Sequence, residues 1–172
     1  MNRIMVIGVS AGVGKSTFAR QLGILTRIEV THLDRLYWKP GWVEASNAEF
    51  CDAQQQIVPK DEWIIEGNYA KTIAIREPHA NTVIYLELPL LICLYRVLKR
   101  RVQYRGKTRS DMGEGCQEKM DKAFLKFIVT TYGPRKREML KRLRRYREEG
   151  KTVHYLKTRK EIEKFIKVYI KK

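Results

Sequence analysis

The chain has few of the residues that build metal centres or disulfide frameworks. Its 172 residues include three cysteines and three histidines. Cys51, Cys93 and Cys116 are odd in number and lack the short spacings of metal ligands, and the histidines are equally dispersed. A disulfide scaffold and a structural metal site are therefore not expected. The cysteines are most simply explained as reduced thiols of a cytoplasmic protein.

Long apolar runs are also missing. No apolar segment of the signal-peptide type opens the chain, and its first apolar run, residues 4–7, is far too short to span a membrane. We therefore expect a cytoplasmic location and no membrane partner. No repeat or low-complexity linker divides residues 1–172, whose 44% hydrophobic content suits a single domain with a sizeable core. The oligomeric state is left open.

Net charge is almost absent from the first half of the chain and strongly positive in the second. Residues 1–90 contain 9 Lys and Arg against 10 Asp and Glu, whereas residues 91–172 contain 26 against 9. The second half therefore accounts for the whole net charge of +16. Such a basic field attracts polyanions, which include nucleoside triphosphates and nucleic acid. A solvated helix surface explains the basic run at 141–147 equally well.

The most informative segment is residues 4–17, IMVIGVSAGVGKST. An apolar strand precedes a glycine-rich turn that leads into a helix, which is the order of a phosphate-binding P-loop. Glycines allow successive N–H groups to point inward as an anion nest. Lys15 is expected to reach the β- and γ-phosphates of ATP and Ser16 to bind Mg²⁺. The predicted nucleotide-binding residues are Gly8, Ser10, Ala11, Gly12, Val13, Gly14, Lys15, Ser16 and Thr17.

One position departs from the usual P-loop spacing, G-x-x-x-x-G-K-[ST]. Counting back from Gly14 places Val9 at the first position, while Gly8 stands one residue too early. Either the loop contains one extra residue or a valine replaces the glycine.

The rest of the chain alternates strand patterns with helix patterns. Strands are expected at about residues 3–8, 28–32, 62–66, 82–88 and 153–156, and helices from Lys15 and at about 46–58, 90–104, 118–130, 134–149 and 161–170. Residues 34–43 and 105–117 are predicted to be loops, the second of them mobile. This alternation predicts an α/β fold with a parallel sheet covered on both faces. Ligands of such sheets bind at the carboxyl ends of the strands.

Several polar side chains fall at that edge of the predicted sheet. Asp34 follows the second strand and is expected to accept a proton from a substrate hydroxyl or to hold Mg²⁺ through water. Glu66 is the second acidic candidate, and Asn68 and Tyr69 are candidate substrate contacts. Ordinary roles as a turn cap, a strand-end ion pair or a packed ring remain open for these residues.

Arginines are the residues predicted to stabilise the phosphoryl group during its transfer. Guanidinium groups stabilise the charge that spreads over a phosphoryl group during its transfer. A lid at about residues 104–135 is predicted to close over the site and exclude water. The candidate catalytic arginines in and beside it are Arg101, Arg105, Arg109, Arg135 and Arg137.

The chain resembles the adenylate kinase-like P-loop kinases and, among them, the group labelled FlaR or DNA topology modulation proteins. The resemblance covers nearly the whole chain and rests on GVSAGVGKST, THLDRLYWKPGW, EWIIEGNY, CLYRVLKRRVQYRGKTRSDMGEGC and VHYLKTRKEIEKFI. It implies a three-layer P-loop NTPase fold with a five-stranded parallel sheet of order 2-3-1-4-5, bound ATP and an arginine-bearing lid. It also suggests that adenine packs between Arg101 and the loop that contains Lys157 and Thr158.

The leading functional hypothesis is an ATP- and Mg²⁺-dependent kinase of a small-molecule acceptor, with a nucleotide or nucleoside preferred. The main alternative is a nucleic-acid-associated regulator that uses ATP binding as a switch, which the basic second half motivates. No helix-turn-helix, zinc finger or aromatic RNA-binding signature accompanies that charge. A nucleotide sensor without catalysis is the third possibility.

Overall fold

The centre of the fold is a parallel sheet of five strands. The computed structural model describes residues 1–118 and 120–170. The sheet strands are Arg3–Gly8 (β1), Val30–His32 (β2), Trp63–Glu66 (β5), Thr82–Leu86 (β6) and Thr152–Leu156 (β7), and a separate antiparallel hairpin joins Trp38–Lys39 (β3) to Val43–Glu44 (β4). The sheet order is β2-β5-β1-β6-β7.

The predicted α/β fold with a five-stranded parallel sheet is confirmed. The strand numbers differ from the expected 2-3-1-4-5 because the hairpin takes the labels β3 and β4. When the sheet strands alone are counted, the spatial order is the same. The central strand β1 is buried at every residue from Ile4 to Gly8, as expected where both faces of a parallel sheet are covered.

Seven α-helices are described, and they surround this sheet. They are Lys15–Thr26 (α1), Leu33–Tyr37 (α2), Asn47–Gln55 (α3), Ile73–Arg76 (α4), Leu90–Gln103 (α5), Lys122–Glu148 (α6) and Arg159–Ile170 (α7). Helix α3 begins with a capping box, since Ser46 Oγ accepts from Glu49 N and the Glu49 carboxylate accepts from Ser46 N. None of the described helices has the length and apolar composition needed to cross a membrane.

The prediction of a loop at residues 34–43 was wrong. This segment forms most of α2 and the β3–β4 hairpin, and Pro40 and Gly41 occupy only the hairpin turn. Aromatic packing explains the difference: the Tyr37 ring contacts Phe50 and Tyr69 at centroid distances of 5.1 and 5.0 Å. These partners come from distant parts of the chain, so local composition does not reveal them.

The two helices predicted at 118–130 and 134–149 form the single helix α6. It begins at Lys122 because the Asp121 carboxylate accepts a hydrogen bond from Phe124 N at 2.7 Å. Pro134 lies inside the helix, while Tyr132 before it and Met139 after it pack against the core. Packing on both sides outweighs the lost backbone hydrogen bond. Residue 119, within the first predicted helix, lies outside the described residues, as do residues 171–172 of the predicted domain.

Candidate active site

The loop between β1 and α1 is shaped by glycines with left-handed backbone. Gly12 has φ 79° and Gly14 has φ 101°, values that side-chain-bearing residues rarely adopt. A Cβ atom on Gly12 would lie 2.2 Å from Cys93 O at the start of α5. The same helix holds the loop through Arg96, whose Nη1 donates to Val13 O at 3.1 Å. The loop is therefore closely packed against α5.

Gly8 and Val9 lie where β1 passes into the loop, at the position that departs from the usual P-loop spacing. Gly8 ends β1, and a Cβ atom there would lie 2.5 Å from Val13 Cγ1 and 2.8 Å from Lys15 Cγ. Val9 instead points into the core with 1% of its surface exposed, and its N–H donates to Leu86 O at 2.9 Å. A side chain at residue 8 would therefore collide with the loop, whereas the Val9 side chain is accommodated in the core.

The P-loop lysine meets a carboxylate from the neighbouring strand. Lys15 Nζ lies 3.9 Å from Glu66 Oε1, and Glu66 Oε2 lies 2.9 Å from His32 Nδ1. Glu66 is only 2% exposed. The three residues follow or end β1, β5 and β2, which are adjacent in the sheet, so their carboxyl ends meet at one edge.

Asp34 lies beside this group, in the first turn of α2. Tyr69 donates its hydroxyl hydrogen to Asp34 Oδ1 at 2.7 Å. Burial and the neighbouring Glu66 carboxylate raise the pKa of Asp34, against the Tyr69 hydrogen bond and the positive charges of Lys15 and Arg109. A cavity carboxylate with a raised pKa is suited to accept a proton near neutral pH.

The loop that carries Tyr69 is strained and firmly held. Tyr69 has φ 27°, a left-handed value that is costly for a tyrosine. The fully buried Arg76 donates to Asn68 O at 2.7 Å, to Gly67 O at 3.2 Å and to Gln54 Oε1 at 2.8 Å. Burial lowers the pKa of Arg76 to about 10, so it stays charged at neutral pH. These bonds fix the loop that aims the Tyr69 hydroxyl at Asp34.

Residues 105–118 form a further side of the site, next to the P-loop and α1. Arg20 Nη1 donates to Ser110 Oγ at 2.9 Å. Asp111 lies beside the Ser16 hydroxyl, and its Oδ1 lies 3.3 Å from Arg109 Nε. Although burial opposes the effect, Arg109 and Ser16 hold the pKa of Asp111 below its usual value. A carboxylate therefore stands beside the hydroxyl predicted to bind Mg²⁺.

The same segment is anchored at its C-terminal end, through Gln117 and Glu118. Arg100 Nε and Arg109 Nε lie 2.7 and 3.3 Å from the carboxylate of the buried Glu118. On the hairpin side, Trp42 Nε1 donates to Gln117 O at 2.9 Å. Residues 105–118 therefore bridge α5 and the hairpin above a cavity.

This cavity has a volume of about 1670 Å³. Its walls come from the P-loop, α2, the hairpin, the segment after β5, residues 105–118 and the first halves of α6 and α7. The predicted site residues that line it are Ala11, Gly12, Val13, Gly14, Lys15, Ser16, Thr17, Asp34, Glu66, Asn68, Tyr69, Arg109 and Arg135. The structure therefore brings together the P-loop, both acidic candidates and two of the five arginines.

The other predicted site residues do not line the cavity. Gly8 and Ser10 lie beneath the loop, and Arg105 and Arg137 are exposed elsewhere. Arg101 donates to Glu118 O and lines a separate cavity of about 280 Å³. A one-residue step along a helix turns the side chain by about 100°, which separates Arg101 from Arg100. The catalytic role of these arginines stays a prediction.

The residues predicted to hold adenine lie at the start of α7. Thr158 Oγ1 accepts a hydrogen bond from Glu161 N at 3.1 Å and so caps this helix. Lys157 Nζ lies 4.7 Å from the centre of the Tyr155 ring. The neighbouring Arg159 and Ile162, rather than these two, line the cavity.

Some cavity residues were not among the predicted site residues. Arg96 and Arg100 lie four residues apart on α5, and this helical spacing is a signal that they share a face. Asp111 belongs to a segment without regular structure, so no periodicity marks it. The aromatic residues Tyr37, Trp38, Trp42 and Phe50 also line the cavity and were not among the predicted site residues.

The oxygen ligands at the loop suit a magnesium ion. Within residues 1–118 and 120–170, no group of three or more His, Cys, Asp or Glu side chains is arranged to hold a metal. Mg²⁺ commonly takes only one or two protein oxygens and completes its shell with phosphates and waters. The Ser16 hydroxyl and the Asp111 carboxylate fit that requirement, and Asp34 lines the same cavity.

Comparison with curated proteins gives partial matches to nucleoside kinases. No family model matches the chain. A uridine kinase of Tolumonas auensis is 35% identical over 77 residues, which are 45% of this chain and 36% of that protein. A uridine kinase of Vibrio cholerae is 33% identical over 72 residues, 42% of this chain and 34% of that protein. The chain thus spans about a third of the length of these curated relatives.

Comparison with solved structures covers the whole fold. A shikimate kinase from Acinetobacter baumannii, solved with shikimate, has a TM-score of 0.54 at 16% identity and covers 99% of this chain and 94% of that one. A gluconokinase from Sinorhizobium meliloti has a TM-score of 0.54 at 13% identity and covers 99% of this chain and 90% of that one. The chain therefore has the fold of these solved P-loop kinases.

Proposed function

We propose that this protein transfers the γ-phosphoryl group of ATP to a hydroxyl of a small-molecule acceptor, with a nucleotide or nucleoside preferred. The observation that carries the proposal is the meeting of Lys15, Glu66 and Asp34 at the carboxyl edge of the sheet. The partial matches to uridine kinases support this reading.

The P-loop side of the cavity would hold ATP. The loop amides, the start of α1 and Lys15 would bind the phosphates, and Glu66 would fix the position of the lysine through their 3.9 Å ion pair. Ser16, with Asp111 beside it, would hold Mg²⁺, which when bound neutralises phosphate charge. ATP and Mg²⁺ are therefore the proposed donor and cofactor.

Asp34 would activate the acceptor. As the acceptor oxygen bonds to the γ-phosphorus, the bond from that phosphorus to the β–γ bridging oxygen breaks and ADP leaves. The hydroxyl proton passes to the Asp34 carboxylate, which the Tyr69 hydroxyl orients. The raised pKa of Asp34 makes this transfer easier than it would be to an ordinary aspartate.

The segment at about residues 104–135 would act as a lid. Its docked position beside the P-loop, held to α1 by the contact of Arg20 with Ser110, would exclude water from the reacting groups. Arg109 and Arg135 line the cavity and are the arginines we assign to the transferring phosphoryl group.

The test is ADP formation with Mg²⁺ across nucleosides, nucleoside monophosphates and hydroxylated acids. We expect one class to stimulate turnover and Lys15→Ala to reduce it by at least about a hundredfold, with an unchanged circular dichroism spectrum. Lys164→Ala, which removes an exposed lysine from α7, is the matched control and should retain activity. Wild-type turnover by Lys15→Ala would contradict the assignment.

The resemblance to the FlaR group stays a prediction, and with it the nucleic-acid-associated regulator. The exposed Lys141, Arg144 and Arg147 on α6 favour it, although the neighbouring Arg142 and Arg145 form ion pairs with Glu77. Binding to duplex DNA through phosphate neutralisation should weaken steeply with salt. Binding that is absent, or indifferent to salt, would count against this role.

A further inference from the structure

An aromatic wall forms the side of the cavity next to Asp34. It consists of Tyr37, Trp38, Trp42, Phe50 and Tyr69, which all line the cavity. Consecutive rings are in contact, with centroid distances of 4.8 Å for Phe50–Tyr69, 5.0 Å for Tyr69–Tyr37, 5.0 Å for Tyr37–Trp38 and 5.1 Å for Trp38–Trp42. The Tyr69 hydroxyl connects the wall directly to the proposed base.

The wall lies beneath residues 105–118. Trp42 donates to Gln117 O, and a Cβ atom on Gly113 would lie 1.9 Å from Trp38 O, so the two backbones are in close contact. Four of the five rings are nevertheless only partly buried, and Phe50 alone is buried. Flat, partly accessible rings under a cover are suited to stack on a planar ligand and shield it from water.

The charges on this side disfavour an anion. Asp34 is one carboxylate here, and Glu44, which accepts a 2.7 Å hydrogen bond from the Tyr37 hydroxyl, is a second. Among the described residues from 33 to 72 that line the cavity, Lys71 is the one cation, and it is exposed. A phosphate monoester placed here would face two carboxylates and a single solvated ammonium.

Two guanidinium groups beside the wall are already engaged by other parts of the protein. Arg76 lies behind the wall, but its donors are directed to Gln54 and to the backbone oxygens of Gly67 and Asn68. Arg109, on the lid side, lies 3.3 Å from both Asp111 and Glu118 and is one of the arginines assigned to the transferring phosphoryl group, so an acceptor phosphate would have to compete for it. Bidentate arginine contacts are the usual means of binding a phosphate monoester, and this wall does not offer one.

We infer that the acceptor is an uncharged nucleoside, whose base stacks on the aromatic wall and whose ribose hydroxyl reaches Asp34. The inference rests on the proposed function and chooses between its two acceptor classes. The reaction is balanced with ATP as the second substrate: the hydroxyl oxygen bonds to the γ-phosphorus, ADP departs with the electron pair of the broken bond, and the proton leaves through Asp34.

The experiment compares nucleosides with their own 5′-monophosphates. Binding is measured by calorimetry, with and without a non-hydrolysable ATP analogue and Mg²⁺, and turnover is measured by ADP formation. We expect at least one nucleoside to bind about tenfold or more tightly than its monophosphate and to support the faster turnover, because burying an uncompensated charge is costly.

Variants locate the binding to the wall. Trp38→Ala should weaken nucleoside binding about tenfold, the usual value of one stacking contact, whereas Trp38→Phe should retain most of it. Tyr95→Ala removes a tyrosine that is 63% exposed on α5 outside the cavity, and should bind as the wild type does. Glu44→Gln should reduce the difference in affinity between a nucleoside and its monophosphate. If Trp38→Ala does not fold, Trp38→Leu keeps apolar volume without a flat ring and gives the same comparison.

Failure of the nucleoside inference and failure of the proposed kinase activity would give different results. Faster turnover with monophosphates or with hydroxylated acids, while Lys15→Ala is inactive, would overturn the nucleoside inference and leave the kinase intact. Nucleoside binding that Trp38→Ala and Trp38→Leu leave unchanged would also overturn it. ADP formation that no acceptor stimulates and that survives in Lys15→Ala would refute the kinase itself.

Discussion

Replacing Asp34 with asparagine should strongly reduce turnover and stabilise the protein. The substitution keeps the size of the side chain, and the amide oxygen can still accept the 2.7 Å hydrogen bond from Tyr69. It removes one negative charge from a partly buried position beside Glu66. The two expected effects have opposite signs, which makes the variant informative.

The loss of activity follows from the chemistry of the amide, which cannot accept the hydroxyl proton. A positioned general base usually contributes about 10²–10⁴ to the rate. We therefore expect kcat to fall by about 10²–10⁴, with little change in ATP binding because the P-loop is untouched. The assay is steady-state ADP formation with the best acceptor.

The gain in stability follows from the raised pKa of Asp34. An acid whose pKa is higher in the folded than in the unfolded state resists deprotonation in the fold. The wild type is therefore destabilised by Asp34 at pH values above the folded pKa, and this cost disappears below the unfolded pKa. Asp34→Asn is therefore expected to have a higher Tm than the wild type at pH 7 and the same Tm near pH 3.

Scanning calorimetry between pH 3 and pH 8 tests the second effect. Asp52→Asn makes the same chemical change at an exposed position of α3 and is the control. Near-normal kcat in Asp34→Asn would refute the general-base role. A Tm that falls at pH 7, or rises equally at all pH values, would refute the argument from burial.

Two other substitutions test the strained loop and the P-loop. Tyr69→Phe removes the hydrogen bond that lowers the pKa of Asp34. The acid limb of the kcat/KM profile should therefore move to higher pH, with the largest loss of kcat/KM on the acid side. An equal loss of kcat/KM at every pH would contradict this prediction. Gly12→Ala would place a Cβ atom 2.2 Å from Cys93 O at φ 79°. The control is Gly150→Ala, where φ is 78° but the space is open. Gly12→Ala should lower the free energy of unfolding by about 1–3 kcal/mol more than this control does. If urea denaturation gives the same loss of unfolding free energy for Gly12→Ala and Gly150→Ala, the clash is relieved and the prediction is wrong.

Much of the fold was predictable because the relevant signals are local. Residues 4–17 contain a strand, a turn and a helix start in one continuous run, and the structure has β1 and α1 at those positions. The capping box of Ser46 and Glu49 is equally local. Where distant packing overrides local preference, as at Pro134 inside α6, prediction from composition was wrong.

The site was predictable only as far as strand ends could be located. Parallel strands end at a common edge, and this rule alone selected Asp34 and Glu66 together with the P-loop. It could not say that Glu66 approaches Lys15 or that Tyr69 holds Asp34. Those contacts depend on strand order and loop conformation.

The sequence by itself determined the phosphate loop, the alternation of strands and helices and the excess of positive charge in the second half. The tertiary structure decided which arginines face the cavity, since Arg100 and Arg101 differ by one helical step. It also decided that five aromatic rings from residues 37–69 form one wall. The raised pKa of Asp34 belongs to the tertiary structure as well, because desolvation is produced by surrounding groups that are remote in the chain.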